Sequence, residues 1–443
     1  MKKILCALTL VGVLVCVLSS CDFLNQFGET SPEIFGDFFD ASQGLAYGVN
    51  GDGETCTIRG IGTCIDSDIY IGGYIDGYKI TNIDSRAFYY CTDNLTSVTI
   101  GDSVTSIGEE AFRGCANLTN VTILGSLTTV GANAFSDCNT SLYEEYNYGK
   151  YVGNSTNPYE ILVQLTNTKF SVYAIHPDTK VLGGGVFQNC KNLTSIVIPN
   201  NVSTIGMAAF ENCSKLTSVI IPDSVTIIDN NAFYDCSALM DVIMGNSVIS
   251  IGAYAFAQCP SLTSVTIPGS VTCIGDGAFS RCYNLTSIKI PASVSTIGNY
   301  PFFNCSNLAN IIVDKNNTTY KSIDGNLYSK DGTVLIAYAM GKTDTSFVIP
   351  DSVTTIGNYA FKYCSNLTSV TVGDSVTSIG VQAFDCCNNL KNVIFANPHG
   401  WWCADDANTT SATVLTSYSL SSTSVAAYYL ESLYRDYFWF RAE

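Results

Sequence analysis

Apolar residues in this chain recur in a fixed two-part pattern. In "LTSVTI" (95–100) and "LTNVTI" (118–123), Leu, Val and Ile stand at relative positions 1, 4 and 6. The last two fit the alternation of a strand with one face buried. A turn at Gly101-Asp102 leads to a second extended piece, Val104 to Ile107, then to Gly108 and an Ala-Phe pair. The pattern predicts two short strands and a short helical turn per unit, with Phe as the large core plug. Gly108 and its counterparts mark a tight bend or a positive φ. The unit repeats: Phe187, Phe210, Phe233, Phe256, Phe279 and Phe302 fall 23 residues apart, each with a Cys three residues later. One such unit cannot bury its own apolar face, so the period predicts a stacked β-rich solenoid whose first strands line one parallel sheet.

Eleven Phe-Cys units run through residues 84–395, the outer ones centred on Phe88, Phe112, Phe135, Phe361 and Phe384. Pro199, Pro222, Pro268 and Pro291 end first strands, where a missing N–H is tolerated. Residues 45–83 alternate apolar and polar positions between glycines and read as an N-terminal cap of short strands and turns. The register breaks twice. The first insert, about 139–174, is Tyr-rich with a strand-like "EILVQL"; it predicts a hairpin projecting from one face. The second, about 314–346, carries turn signals at Asp324-Gly325 and Asp331-Gly332, with "NLYS" and "TVLIAYA" as hairpin strands. Residues 396–443 read as a C-terminal cap. There Ala426, Tyr429, Leu430, Leu433, Tyr437 and Phe440 recur at helical spacing and predict an amphipathic helix closing the last coil.

Composition narrows the class. The chain is 47% hydrophobic and 13% charged, yet no internal apolar run approaches the roughly 20 residues that span a bilayer. A formal charge of −17 argues against nucleic acid, whose phosphates need cationic partners. The N-terminus has a secretory plan: Lys2 and Lys3, then an apolar run from Ile4 to Leu18. Leu18-Ser19-Ser20-Cys21 resembles a bacterial lipobox. That resemblance implies a signal peptide over 1–20, lipid on Cys21 that ties the chain to a membrane, and a tether over 21–44. More than one acyl chain anchors firmly where a single chain holds marginally.

Of 19 cysteines, eleven occupy the position three after Phe. Their regularity reads as a ladder of free thiols acting as small buried apolar groups. Cys56 with Cys64 is the one pair considered for a bridge, against two free thiols. Candidate chemistry is sparse. His176 sits at a turn. His399 lies beside Trp401, Trp402 and Cys403, to be weighed against a packed capping loop. Asp314 and Asn316 begin like a calcium loop, but position 12 is Gly325. No nucleophile, base and orienting group assemble. The chain reads as a non-enzyme with no cofactor and no metal.

The unit "CxxLTSVxIPxSVTxIGxxAF", as in Cys259 to Phe279, resembles the BspA-like leucine-rich repeats of bacterial surface proteins. The resemblance covers about 45–443. It implies a leucine-rich repeat solenoid displayed at the cell surface or outer membrane, and adhesion to host extracellular-matrix or plasma proteins or to neighbouring cells. It transfers no catalytic residue. A monomer is expected.

Two surfaces are candidates for binding. Each first strand has one outward residue between its inward Val and Ile: Thr99, Thr122, Val197, Ile220, Ile243, Thr266, Lys289, Ile312, Thr371 and Ile394. Val197, Ile220 and Ile243 form an apolar stripe, either open or covered by the first insert. The insert tyrosines Tyr143, Tyr146, Tyr148, Tyr151 and Tyr159 either offer contact area or pack on the solenoid. Partner binding is the leading function. A structural envelope role, and glycan capture by Trp401 with the insert tyrosines, are the alternatives.

Overall fold

The computed structural model describes residues 40–92, 94–404 and 413–442. The leader, Cys21 and most of the tether lie outside the described residues. The described chain forms two compact units that divide near residues 107–143.

In the first unit, Ala46–Val49 and Thr55–Gly60 form an antiparallel edge, and Thr55–Gly60 runs parallel to Tyr78–Ile83. Asp68–Ile71 pairs in parallel with Ser97–Ile100, which pairs with Asn120–Ile123. Residues 45–83 therefore hold an edge hairpin and also a solenoid coil that the Phe-Cys count passes over. Cys56 and Cys64 are both free.

The second unit is built from coils with three inter-coil ladders. First strands stack in parallel, as in Ser218–Ile221 against Asp241–Met244. Short second strands stack in parallel from Val181–Leu182 through Thr296–Ile297. The third ladder is the Phe turn, where Phe210 N–H donates to Ala232 O at 2.7 Å and Phe233 N–H to Ala255 O at 2.7 Å. The Phe rings follow this ladder and stack nearly parallel. Centroids are 4.9 Å apart for Phe187–Phe210, 5.0 Å for Phe210–Phe233 and 5.2 Å for Phe233–Phe256. Inward Leu, Val and Ile fill the rest of the core.

Polar groups left over at the coil corners are satisfied along the stack. Thr217 Oγ1 donates to Thr194 O and Thr226 Oγ1 to Ser203 O, one coil back in each case. The cysteines do the same in the core. Cys213 Sγ lies 3.2 Å from Phe187 O, and Cys236, Cys259, Cys282 and Cys305 repeat the contact. The thiol ladder is free, as its period suggests. Its members are also donors to the Phe carbonyls, a role the apolar reading did not contain. A buried carbonyl has a second lone pair to satisfy, and a thiol is the smallest apolar-like group that can reach it.

Burial raises the pKa of Cys190 to about 11, and those of Cys213, Cys236, Cys259 and Cys305 well above the ordinary range. A raised thiol pKa means the native state holds its protons longer than the unfolded chain. The ladder's contribution is therefore complete below the unfolded value near pH 8.5 and falls as pH rises toward the folded values. Urea unfolding at pH 7, 8.5 and 10 is expected to show a steep alkaline loss of stability. Each thiol adds about 1.4 kcal/mol per pH unit to the slope. Replacing Cys213, Cys236 and Cys259 by Ala is expected to lower stability at pH 7 but to flatten the slope. An unchanged slope would contradict the ladder's role.

Four expectations need correction. The glycines after the second strand do not adopt positive φ. A Cβ on Gly252 or Gly275 would approach the neighbouring coil's backbone to 2.5 and 2.4 Å, so close approach is what selects them. Positive φ falls instead two residues before and after each Phe, as at Ala208 (56°) and Asn212 (59°) around Phe210. The Phe segment is thus a series of tight turns, not a stretch of helix.

The first insert does not project. Glu144–Tyr146, Gly149–Val152 and Ile161–Leu165 form an antiparallel meander whose last strand joins the second-strand sheet beside Val181–Leu182. Asn147 and Tyr148, both at positive φ, make its two-residue turn. The second insert has the same plan: Tyr320–Ile323, Asn326–Ser329 and Val334–Ala337, the last parallel to Thr355–Ile356. The hairpin at Asp331-Gly332 is as expected. Tyr338, 23 residues before Phe361, takes the plug position, and its N–H donates to Ala360 O at 2.8 Å.

The closing helix is shorter than its spacing suggested. Helical turns cover Ser417–Ser421 and Thr423–Tyr428, with a wider turn over Tyr429–Leu433. Phe440 lies in a strand, Phe438–Arg441, that runs antiparallel to Ser378–Ile379 and Trp401–Ala404. In "FWFR" only Trp439 is buried, and its place in the core seats the segment as a strand in spite of the helical spacing.

Candidate protein-binding face

First strands alternate inward and outward, so each contributes one residue to a column on the open face. The inward members Ile196, Val219 and Val242 are buried. The outward members Val197, Ile220, Ile243 and Ile312 retain 68, 64, 53 and 49% of their accessible surface. Ile220 stands opposite Ile243, and Lys289 opposite Ile312. Neighbouring strands are about 4.8 Å apart, so Val197, Ile220 and Ile243 lie within roughly 10 Å. Thr266 and Lys289 are exposed in the same column, and Lys289 Nζ lies 3.9 Å from Asp314. Thr99, Thr122 and Thr371 are half-buried.

The first insert leaves this stripe open, because its meander joins the other sheet. Its Val172–Ala174 segment extends the strand face instead, with Ala174 opposite Val197. The column also gains Val348, opposite Thr371 and exposed. Counting back 23 residues from Thr371 locates Val348; treating the second insert as one irregular block hides it. Met240, just before the Asp241–Met244 strand, is exposed as well.

The insert tyrosines divide. Tyr146 and Tyr148 are exposed, Tyr148 at the hairpin tip. Tyr143 and Tyr151 are buried and drop out as contact residues: Tyr143 donates its hydroxyl to Phe135 O, and Tyr151 accepts from His176 N–H at 3.2 Å. His176 stacks on Tyr159 with centroids 3.7 Å apart, and its Nδ1 accepts from Asp178 N–H. That is a packed structural imidazole. Trp401 is also buried, with its indole N–H donating to Asn397 O at 3.0 Å, so it presents no ring to a glycan.

Magnitudes limit what the stripe does alone. Completing the burial of three half-exposed β-branched side chains is worth about 3–5 kcal/mol gross. Micromolar affinity needs about 8 kcal/mol after association costs. Polar groups beside the stripe, Ser218 and Asp241 in the parallel column and Lys289 further along, must supply the remainder.

A parallel-stranded solenoid with a leucine at each coil entry defines a leucine-rich repeat protein. Among the described residues no helix is long and apolar enough to cross a membrane. The model of the BspA type leucine rich repeat region matches residues 81–156, 164–274, 226–329 and 337–402, and the chain belongs to that family. It is similar to a leucine rich cell surface protein from Faecalibacterium prausnitzii A2-165, with 30% identity, 81% of this chain and 77% of that chain covered, and a TM-score of 0.41. It is also similar to a leucine-rich repeat protein from Bacteroides ovatus ATCC 8483, with 23% identity, coverage of 80% and 93%, and a TM-score of 0.42. No curated protein matches the chain.

Proposed function

We propose that this protein is an exported, lipid-anchored surface protein that holds another protein against the strand face of its solenoid. The observation that carries the reading is the open column of Val197, Ile220 and Ile243, which keeps three purely aliphatic side chains in water on consecutive coils, at a position that Thr266 and Thr371 fill in other coils. Exposed apolar patches of this kind mark interaction surfaces. The family, and the cell-surface description of the Faecalibacterium relative, support a surface role. The partner class is a host extracellular-matrix or plasma protein, or a protein on a neighbouring cell.

The full chain, titrated against immobilised matrix and plasma proteins, is expected to bind at least one of them saturably. Failure to bind any, together with normal adhesion of cells lacking the protein, would leave the envelope role instead. Anchoring is tested separately. Mass spectrometry of the membrane fraction is expected to find the mature chain beginning at a lipid-modified Cys21. An unmodified Cys21 in a retained chain would contradict the anchor.

A further inference from the structure

The Phe-turn side of the second unit carries a cleft of about 370 Å³ that the 23-residue pattern does not announce. It falls in the size range of small-ligand sites, about 300–1,000 Å³. Its walls come from positions flanking the Phe plugs. Two residues before Phe lie Tyr254, Tyr300 and Tyr359; one residue after lies Phe303; two after lie Gln258 and Arg281. Gly277 lets the rings above it close in. Gly277 occupies the coil between Tyr254 and Tyr300, and a Cβ there would come within 2.6 Å of the Tyr254 ring. Across that gap the two tyrosine hydroxyls meet at 2.7 Å. Beyond it, Tyr300 packs edge-on against Tyr359 at 5.1 Å.

The charges in the cleft are unequal. Lys362 Nζ lies 2.8 Å from Asp385, Arg435 lies 3.3 Å from the same carboxylate, and Arg435 also meets Asp436 at 3.5 Å. Those two cations and two anions cancel. Arg281 has no ion pair among the described residues; its guanidinium lies exposed, 5.9 Å from the Phe303 ring centre. In a chain of net charge −17 this is a cation held open at the mouth of an aromatic cleft. The Tyr300 phenol is pushed up to about 12, first by its hydrogen bond with Tyr254 and then by burial.

We propose that this cleft binds a saccharide bearing a carboxylate, with Arg281 taking the acid group and the Tyr254 and Tyr300 rings taking the apolar face of the pyranose; the Tyr359 and Phe303 rings are already overlain by Lys362 Nζ, at 5.2 and 5.4 Å. Guanidinium and carboxylate match as a planar bidentate pair. The Gln258 amide oxygen and the remaining lone pairs of the tyrosine hydroxyls suit sugar hydroxyls, while the Gln382 amide is held by Lys362 and Asp436. A single free cation does not fit a nucleic acid. A bare inorganic anion leaves the aromatic walls unused. The site is on the turn side and does not depend on the strand face.

The purified full chain is titrated by calorimetry with 3′-sialyllactose, with a glucuronate-terminated disaccharide and with lactose. At least one acidic sugar is expected to bind at least tenfold more tightly than lactose, and which one identifies the acid. Arg281→Gln, an exposed substitution that leaves the core intact, is expected to bring that sugar down to the level of lactose. Ile220→Asp is expected to leave saccharide binding unchanged. Equal binding of lactose, no binding of either acidic sugar, or a preference that survives Arg281→Gln overturns the proposal.

Discussion

Phe256→Ala is expected to destabilise the protein by about 3–5 kcal/mol, the range for truncating a fully enclosed aromatic. Phe256 has no exposed surface and lies between Phe233 at 5.2 Å and Phe279 at 5.7 Å, with rings within 6° of parallel. Its N–H and its carbonyl are both tied to the next coil, by donation to Ala278 O and by the Cys282 thiol on its carbonyl. The coil therefore cannot collapse into the vacated volume without breaking the turn ladder. In a stack each coil is stabilised mainly through its neighbours, so one missing plug weakens two interfaces at once. Phe302→Ala is expected to cost less, because Phe302 is slightly exposed and its ring is tilted 21° from Phe279 at 6.2 Å. Urea unfolding of both variants measures the difference. A loss below about 1.5 kcal/mol at Phe256 would mean the column is not a supporting core.

The contrast between what was legible in the sequence and what was not follows from which contacts are periodic. The Phe, Leu, Val and Ile positions recur at a fixed spacing because the same contact recurs every coil, so the solenoid, its parallel first strands and its inward residues could be read directly, although the first strands split into ladders of two or three and the second strands form the longer sheet. The outward residues followed from strand alternation. Tyr338 was missed because its hydroxyl disguises a plug, although the distance to Phe361 keeps the period. The cap coil containing Asp68–Ile71 was missed because it has no preceding Phe-Cys pair. Tyr143 and Tyr151 looked like surface residues because tyrosine suits either environment, and only the meander's attachment to the second-strand sheet decides between them. The turn-side cleft depends on residues from several coils and on an absence, the missing side chain of Gly277. No one unit contains that information.

The second large effect is expected at the strand face. The double variant Ile220→Asp, Ile243→Asp is expected to weaken partner binding at least about thirtyfold while leaving the fold intact. Ile220 and Ile243 face each other across adjacent strands and remain more than half exposed, so replacing them removes little from the core. Withholding two of the three stripe side chains forfeits about 2–3 kcal/mol of gross burial. Enclosing two carboxylates in an apolar contact adds a desolvation cost. Two like charges directly opposite in a sheet also repel, but by under about 1 kcal/mol at an exposed site. At 1.4 kcal/mol per tenfold, the burial term alone gives roughly thirty- to hundredfold.

The direct measurement compares the affinity of the native chain and of this double variant for the matrix or plasma protein that the native chain binds, with urea unfolding run on the same samples. The strand-face account predicts a loss of thirtyfold or more for the double variant at nearly unchanged stability, and full affinity for a control in which Tyr146 and Tyr148 are replaced by Ser. Undiminished binding by the double variant, with binding lost in the tyrosine control, would place the contact on the first insert and contradict the account.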